Sequence, residues 1–322
     1  MMQMTTQTTQ ITSPQLNIVE KASKIWREIK RIPRNIRNFF IFDEQLRNRY
    51  SLERVYLEYF GKPLNLEQPV TLNEKLQWLK LYYRNPIMTR CADKYAVRSY
   101  VVEKIGDEYL IPLLGVYESV SEIDFEKLPE KFILKVTHAS ARNIICKDKQ
   151  HFDFDGTKRK LEKWLGKNYY KRGLEWQYKD IKPRIVCEPL LERADGRDLY
   201  DYKIYCFHGV PKFINVNVGR ESSLTYMFFD TNWERIPVYC LEQPNGTIVK
   251  IARPEQLDKM LALACQVAPD VPLVRADFYV HDEKIYFGEL TFTPECGYAR
   301  YYPEQYDRIF GDMLNLPEKH ND

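Results

Sequence analysis

The chain has 322 residues, of which 44% are hydrophobic and 29% charged, with a formal net charge of +3. No apolar run reaches the roughly 20 residues that cross a bilayer, and residues 1–14 lack the apolar core of a secretory signal. Seven widely spaced cysteines without a C-x-x-C pair argue against a zinc site or a disulfide framework. We therefore expect a globular cytoplasmic protein with reduced thiols and one large or two ordinary domains.

The predicted elements begin after a tail, residues 1–18, whose composition indicates disorder. Residues 19–50 form a basic amphipathic segment, in which positions 21–50 carry nine Lys and Arg against three Asp and Glu. Apolar residues recur there at near-helical spacing, although Pro33 should kink or divide the helix. The segment either lies on the inner face of the cell membrane through residues 21–40 or packs its apolar stripe on the protein body.

Residues 51–108 are predicted to form a helical N-terminal region. One helix spans positions 44–60, and Thr71 and Glu74 have the spacing of a capping box that opens a second. The pair Asn85-Pro86 ends that helix, and a third is expected from about Thr89 to Lys104.

Strands and helices are interspersed over the remaining residues without a regular βαβ alternation. This pattern predicts an α+β fold of two lobes, residues 109–186 and 187–318. The predicted strands cover residues 132–136, 143–147, 184–188, 202–207 and 212–218, and the predicted helices cover about 157–168 and 254–268.

A predicted hairpin at residues 274–291 places several charged side chains inside strands. Aromatic and β-branched residues fill both strands, and residues 281–284 form a polar break between them. Because side chains alternate along a strand, each strand presents its functional residues on one face. These residues are Arg275, Asp277 and Tyr279 in the first strand, and Glu289 and Thr291 in the second.

If Asp277 and Glu289 lie opposite each other, their charges repel, and a divalent cation reverses that effect. Hard oxygen ligands favour Mg²⁺, which also binds nucleotide phosphates. The direct pairing is predicted to need a loop with an odd number of residues, because an even number without a bulge would place the two carboxylates on opposite faces. The alternative is a surface hairpin with ordinary charges.

Two further segments suit a nucleotide. Lys135 ends an apolar strand before a small-residue loop at 138–143, whose backbone N–H groups could contact phosphate, although the loop has no glycine. Glu188 leads into an apolar stretch that could offer backbone groups to adenine, and Glu192 and Asp195 follow where a ribose would lie. Taken singly, each signal is also expected of an ordinary loop or edge strand.

The order of these features resembles the ATP-grasp superfamily. Its elements are Asp93-Lys94 in a helix, the strand-ending Lys135, the small-residue loop, Glu188 before a hinge, and Arg275-x-Asp277 followed by Glu289-x-Thr291-x-x-Pro294. The phrases LNEKLQWLK (72–80), ADKYAVR (92–98), WQY (176–178) and YFGELTF (286–292) are similar to the TupA-like branch, named for teichuronopeptide biosynthesis. The resemblance covers about residues 50–316.

The resemblance implies an ATP-grasp fold, with two α+β lobes around a nucleotide cleft and a helical region before them. It also implies a ligase that uses ATP and Mg²⁺ to join a carboxylate and an amine through an acyl phosphate. The substrates it implies are a carboxylated sugar of a bacterial surface polysaccharide and an amino acid or other amine.

The same resemblance assigns roles to residues by position. Arg275 and Lys135 are implied to be catalytic, and Asp277, Glu289 and Thr291 are implied to bind metal. The implied nucleotide contacts are Lys94, Lys135, Ser140, Arg142, Glu188, Leu191, Asp195 and Lys203. The chain departs from the family pattern in three places: Thr291 replaces an asparagine, the loop at 138–143 lacks glycine, and Glu295 replaces the glycine after Pro294.

Two other classes of protein stay open. A sugar-nucleotide glycosyltransferase would use a D-x-D motif, which Asp153-Phe154-Asp155 offers, although this sequence also suits a helix N-cap. A non-catalytic nucleotide- or membrane-binding protein would rest on the basic segment. No nucleic-acid partner is expected, because the body of the chain is not basic.

Overall fold

The computed structural model describes residues 44–192, 199–218, 225–240 and 250–319. The chain divides into two compact units, residues 1–64 and 65–322. The described part of the first unit is mainly α1 (Glu44–Phe60), whose predicted bounds are confirmed. The predicted tail at 1–18, the segment at 21–40 and Asp195 lie outside the described residues.

The second unit begins with α2 (Leu72–Tyr82), and the predicted capping box is present at its start. The Thr71 hydroxyl accepts a hydrogen bond from the backbone N–H of Glu74 at 3.2 Å, and the Glu74 carboxylate accepts one from the N–H of Thr71 at 3.1 Å. These bonds satisfy two N–H groups that have no partner inside the helix.

The third predicted helix is in fact two helices, α3 (Pro86–Ala92) and α4 (Ala96–Ile105). Asn85 caps α3 by accepting a hydrogen bond from the N–H of Ile87 at 3.1 Å. Proline is tolerated at the first helical position because the N–H that it lacks would have no partner there. Asn85-Pro86 therefore starts a helix one turn earlier than predicted.

The described strands form three sheets, and all their pairs are antiparallel. The first sheet has the order β1-β4-β2-β3, and its strands are β1 (Gly115–Tyr117), β2 (Phe132–Val136), β3 (Asn143–Cys146) and β4 (Ile185–Pro189). Helix α5 (Phe154–Leu165) contributes Leu161 to the apolar core on this sheet, and the short α6 (Tyr170–Gly173) follows it.

The second sheet contains six strands: β5 (Asp201–Phe207), β6 (Val210–Val218), β7 (Thr225–Asp230), β8 (Arg235–Ile236), β10 (Leu273–His281) and β11 (Lys284–Thr291). Their order across the sheet is β11-β10-β5-β6-β7-β8. The third sheet pairs β9 (Tyr239–Cys240) with β12 (Tyr301–Tyr302). Two more helices complete the unit, α7 (Leu257–Val267) and α8 (Gln305–Asp312).

One face of the second sheet is apolar and the other carries charged residues. Ile204, Ile214, Ala276 and Phe278 are fully buried in a core that also includes α7. Because neighbours along a strand point to opposite faces, Lys203 and Asp277 lie on the other face. This polar face holds the site described below.

A β-bulge at Gly288 sets the register of the β10–β11 hairpin. The turn has two residues, Asp282 and Glu283, both with positive φ, so the prediction of an odd loop is wrong. Phe278 pairs with Phe287, but Asp277 pairs with Glu289, because Gly288 is an extra residue in β11. The bulge switches the face of β11, so Phe287 enters the core while Glu289 lies opposite Asp277, as expected.

All seven cysteines are free thiols. Across the described ranges, no helix is both long and apolar enough to span a membrane.

Candidate active site

Asp277 is held by two cations on the polar face of the second sheet. The Arg275 guanidinium donates two hydrogen bonds to the Asp277 carboxylate, each 2.7 Å long. Lys203, on the neighbouring strand β5, donates a third at 2.6 Å and also contacts Asp201 at 2.6 Å. Asp277 is only 1% exposed. The sequence therefore predicted the Arg275–Asp277 pair, but not the second carboxylate beside Lys203.

Glu289 is the accessible carboxylate of the hairpin, because its side chain keeps 34% exposure. Lys94 donates to one of its oxygens at 3.3 Å, and Arg275 and the Thr291 hydroxyl donate to the other at 3.3 and 3.0 Å. Lys94 lies in the break between α3 and α4, where its N–H donates to the carbonyl of Thr137 at 3.2 Å. The break in the helix thus directs Lys94 toward the hairpin.

Neighbouring charges and burial shift the pKa values of Glu289 and Asp277 in opposite directions. Burial alone would raise the pKa of Glu289, but Lys94, Arg275 and Lys203 together hold it well below its usual range. Burial raises the pKa of Asp277, and Arg275 and Lys203 oppose that rise. Burial alone would lower the pKa of Arg275, but Asp277 raises it well above its ordinary value. Glu289 is therefore an anion that faces the cleft at any ordinary pH.

The donor set fits a Mg²⁺ ion whose remaining ligands come from water and a nucleotide. Among the described residues there is no group of three or more His, Cys, Asp or Glu placed to hold a metal. Mg²⁺ is commonly bound through only one or two carboxylates together with phosphate oxygens, and Asp277, Glu289 and the Thr291 hydroxyl offer that set. At present Arg275 and Lys203 occupy the oxygens of Asp277, so Glu289 offers the more accessible ones.

Lys135 and Glu188 form a second cluster on the first sheet. The Lys135 ammonium contacts the Glu188 carboxylate at 2.6 Å. Arg98, on α4, approaches the other oxygen of Glu188 at 3.6 Å. Arg98 was not predicted; it lies in the first turn of α4, four residues after Lys94.

A mostly apolar cavity lies beside Lys135 and Glu188. Ile133, Ile145 and Pro189 of the first sheet and Tyr279 of the second sheet line it, together with Ile111 and Leu191 from connecting segments. An apolar cavity with a few polar groups at its rim is typical of a small-molecule site. Leu191 lies in its wall, whereas Glu192 contacts Lys131 and Lys147.

The loop after β2 is anchored by its own side chains. Arg142 lies over the ring of Trp164 at 5.2 Å, and the Ser140 side chain lies beside the hydroxyl of Tyr169. His138 is buried and contacts the carbonyl of Trp164 at 3.1 Å. Ala141 has a φ of +54°, a left-handed conformation that glycine would adopt more easily. The structure therefore brings Lys94 to the hairpin, but places Ser140 and Arg142 against α5 and the residues after it.

Helix α2 holds the segment that follows the hairpin. Three polar residues of its buried face contact that segment: Asn73 bonds both backbone groups of Ala299 (2.8 and 3.1 Å), Gln77 donates to the carbonyl of Gly297 (2.7 Å), and Lys80 contacts Cys296 Sγ (3.3 Å). Glu295 and Cys296 both have positive φ, near +50°. Glu295 lies 3.7 Å from Arg275. The residues of LNEKLQWLK (72–80) therefore have a positioning role, because they hold the backbone beside the candidate site in place.

The D-x-D motif has a structural explanation. Asp153 accepts a hydrogen bond from the N–H of Gly156 at 2.8 Å and caps α5. This is the N-cap role that the sequence offered as the alternative to a metal motif.

Comparisons with known proteins agree with this arrangement. A protein-family model described as "TupA-like ATPgrasp" matches residues 74–315. No curated protein sequence matches the chain.

Several solved structures match the chain at low sequence identity. An L-amino acid ligase from Bacillus licheniformis has a TM-score of 0.45 at 13% identity, covering 83% of this chain and 58% of its own. A D-alanine–D-alanine ligase from Helicobacter pylori has 0.40 at 11%, covering 72% and 60%. An N5-carboxyaminoimidazole ribonucleotide synthetase in complex with ADP has 0.40 at 11%, covering 67% and 49%. The chain thus spans about half to three fifths of the length of these proteins.

Proposed function

This chain belongs to the TupA-like ATP-grasp family, and we propose from that membership that it is an ATP- and Mg²⁺-dependent ligase that joins a carboxylate to an amine. The observation that carries the proposal is the clustering of Lys203, Arg275, Asp277 and Glu289 on one sheet face, where Lys94 also contacts Glu289. Such a cluster offers both cations and metal ligands to a triphosphate. The adjoining apolar cavity suits an adenine ring.

The proposed chemistry is the one that membership of the ATP-grasp family implies. A substrate carboxylate oxygen attacks the γ-phosphorus of ATP, the bond to the β-phosphate oxygen breaks, and ADP leaves. The amine then attacks the acyl phosphate carbon, phosphate leaves, and the nitrogen loses a proton. Bound Mg²⁺ would offset the phosphate charge, with Asp277, Glu289 and Thr291 as its protein ligands.

The protein side chains act by position and charge. Arg275 places a guanidinium beside the two carboxylates, where phosphoryl transfer concentrates negative charge on oxygen. Lys94 bridges the loop after β2 and Glu289, since its ammonium also donates to the carbonyl of Ala139 at 3.2 Å. Lys135 and Glu188 lie at the rim of the cavity, where a nucleotide would pass.

The substrate class and cellular setting belong to the proposal as well. We infer a carboxylated sugar of a bacterial surface polysaccharide as acceptor and an amino acid or other amine as donor, with the reaction in the cytoplasm. Peripheral contact with the inner face of the membrane would use residues 21–40.

A nucleotide assay tests the ligase proposal. Isothermal titration calorimetry should show binding of a non-hydrolysable ATP analogue with Mg²⁺, and ADP release should require both a carboxylate and an amine. Binding of a UDP-sugar without binding of the ATP analogue would instead favour a glycosyltransferase. Binding of neither would favour a non-catalytic protein.

A further inference from the structure

Two buried asparagines extend the polar face of the second sheet beyond the charged cluster. Asn215 and Asn217 lie on β6 and are 3% and 7% exposed. Asn215 pairs with Lys203 of β5, and Lys203 pairs with Asp277 of β10. Directly paired residues point to the same face, so a polar row crosses the sheet from Glu289 to Asn215. Strand spacing places Asn215 about 10 Å from Asp277.

One amide group of each asparagine lacks a partner. Asn215 Nδ2 and Asn217 Oδ1 are buried, and neither has a hydrogen bond among the described residues. A buried polar atom without a hydrogen bond destabilises a fold, so each such atom needs an explanation, and a missing ligand is one. A different buried asparagine shows the usual pattern, because both ends of the Asn73 amide bond the backbone of Ala299.

The two unpaired atoms differ in hydrogen-bonding chemistry, and this difference indicates which ligand groups they could bind. One is a donor and the other an acceptor, and they lie two residues apart on one strand, about 6.6 Å along the chain. Hydroxyl groups match both, because each can donate and accept. A simple carboxylate could use only the donor. Beside this pair, Lys203 and Arg275 provide the positive charge that a carboxylate needs.

We propose that Asn215 and Asn217 bind hydroxyl groups of a polyhydroxylated carboxylate acceptor, whose carboxylate lies toward Lys203 and the hairpin. This inference rests on the proposed ligase function and adds the residues that read the acceptor. The two asparagines act in binding and specificity. Nucleotide contacts are left to the first sheet, the hairpin, Lys94 and Lys203.

The first test needs no knowledge of the natural acceptor. Asn215→Leu and Asn217→Leu replace each amide with an apolar group of similar shape, so the melting temperature should stay the same or rise. The matched control is Asn73→Leu, which strands two backbone groups of Ala299 and should lower the melting temperature by several degrees. If either β6 variant melts as far below the wild type as Asn73→Leu does, the amides have a structural role and the proposal is wrong.

The second test measures binding of D-glucuronate and D-galacturonate to the full-length protein by calorimetry, with and without the ATP analogue. D-glucose and acetate serve as probes that each lack one feature. We expect at least one hexuronate to bind more tightly than both probes, and each leucine variant to weaken that binding at least tenfold while the affinity for the ATP analogue stays unchanged. Equal binding by the variants, or no hexuronate binding to the wild type, overturns the proposal. Failure of the ATP analogue to bind the wild type is a separate result, which contradicts the ligase function.

Discussion

Replacing the two hairpin carboxylates should separate their structural and functional roles. Both Asp277→Asn and Glu289→Gln remove one negative charge with little change in size. Their effects on stability should differ, because Asp277 is 1% exposed and bonds two buried cations, whereas the Glu289 side chain is 34% exposed.

The magnitude follows from the contacts. Removing one partner of a buried ion pair typically destabilises a protein by about 3–5 kcal/mol, because the other charge stays buried without compensation. In Asp277→Asn the charge most affected is Arg275, which among the described residues would keep only its longer ion pairs with Glu289 (3.3 Å) and Glu295 (3.7 Å). Lys203 keeps Asp201 at 2.6 Å, so the loss should lie near the lower end. At about 2–4 °C per kcal/mol, the melting temperature should fall by roughly 6–12 °C.

Glu289→Gln should behave differently, since a partly exposed carboxylate contributes little to stability. We expect its melting temperature to change by no more than about 2 °C, as for a surface substitution. Both variants should nevertheless lose Mg²⁺-dependent ADP release. Asp258→Asn removes an exposed partner of Arg253 and is the control for the loss of an ion pair at the surface.

Thermal melting and an ADP-release assay, run on the same preparations, decide the matter. The reasoning about Asp277 is wrong if Asp277→Asn melts within about 2 °C of the wild type, like Asp258→Asn. The metal assignment is wrong if either hairpin variant keeps most of its ADP release under saturating Mg²⁺.

Three further predictions concern other parts of the chain. Gly288→Ala should destabilise the bulge by about 1–3 kcal/mol and slow ADP release, because its Cβ would lie 3.1 Å from the carbonyl oxygen of Asp277. The control is Gly166→Ala, whose Cβ would have its nearest neighbour 3.7 Å away. Equal melting temperatures of the two variants would contradict the prediction. Burial raises the pKa of Glu175 above its ordinary 4.5, so the unfolded chain releases its proton first and stability falls as pH rises through that range. The melting temperature of Glu175→Gln should therefore equal that of the wild type near pH 4 and exceed it at pH 8. A difference in melting temperature that does not grow with pH would refute this. Deleting residues 1–40 should abolish sedimentation with anionic vesicles at low salt while ATP-analogue binding persists; if the full-length protein fails to sediment, the basic segment is not a membrane contact.

The sequence determined much of the local structure. The helix at 44–60, the capping box at Thr71 and the strand at 132–136 all form where the pattern predicted them, because caps and hydrophobic periodicity depend on neighbours in the chain. The alternation of side chains also predicted that Arg275 and Asp277 share a face. Short strands such as β1, β8 and β9 were missed, since two or three residues carry no periodic signal.

Only the tertiary structure decided how these elements form one site. Asp277 and Glu289 face each other because a bulge at Gly288 corrects an even-numbered turn, and no local pattern distinguishes that glycine from others. Asp201 and Arg98 enter the charged clusters through strand and helix neighbours far away in sequence. The unpaired amide atoms of Asn215 and Asn217 on β6 are found only by checking which buried polar atoms have a hydrogen-bond partner, and those partners come from every neighbouring element. Pairing and burial are long-range properties, so the sequence supplied the candidate residues and the fold determined which of them meet.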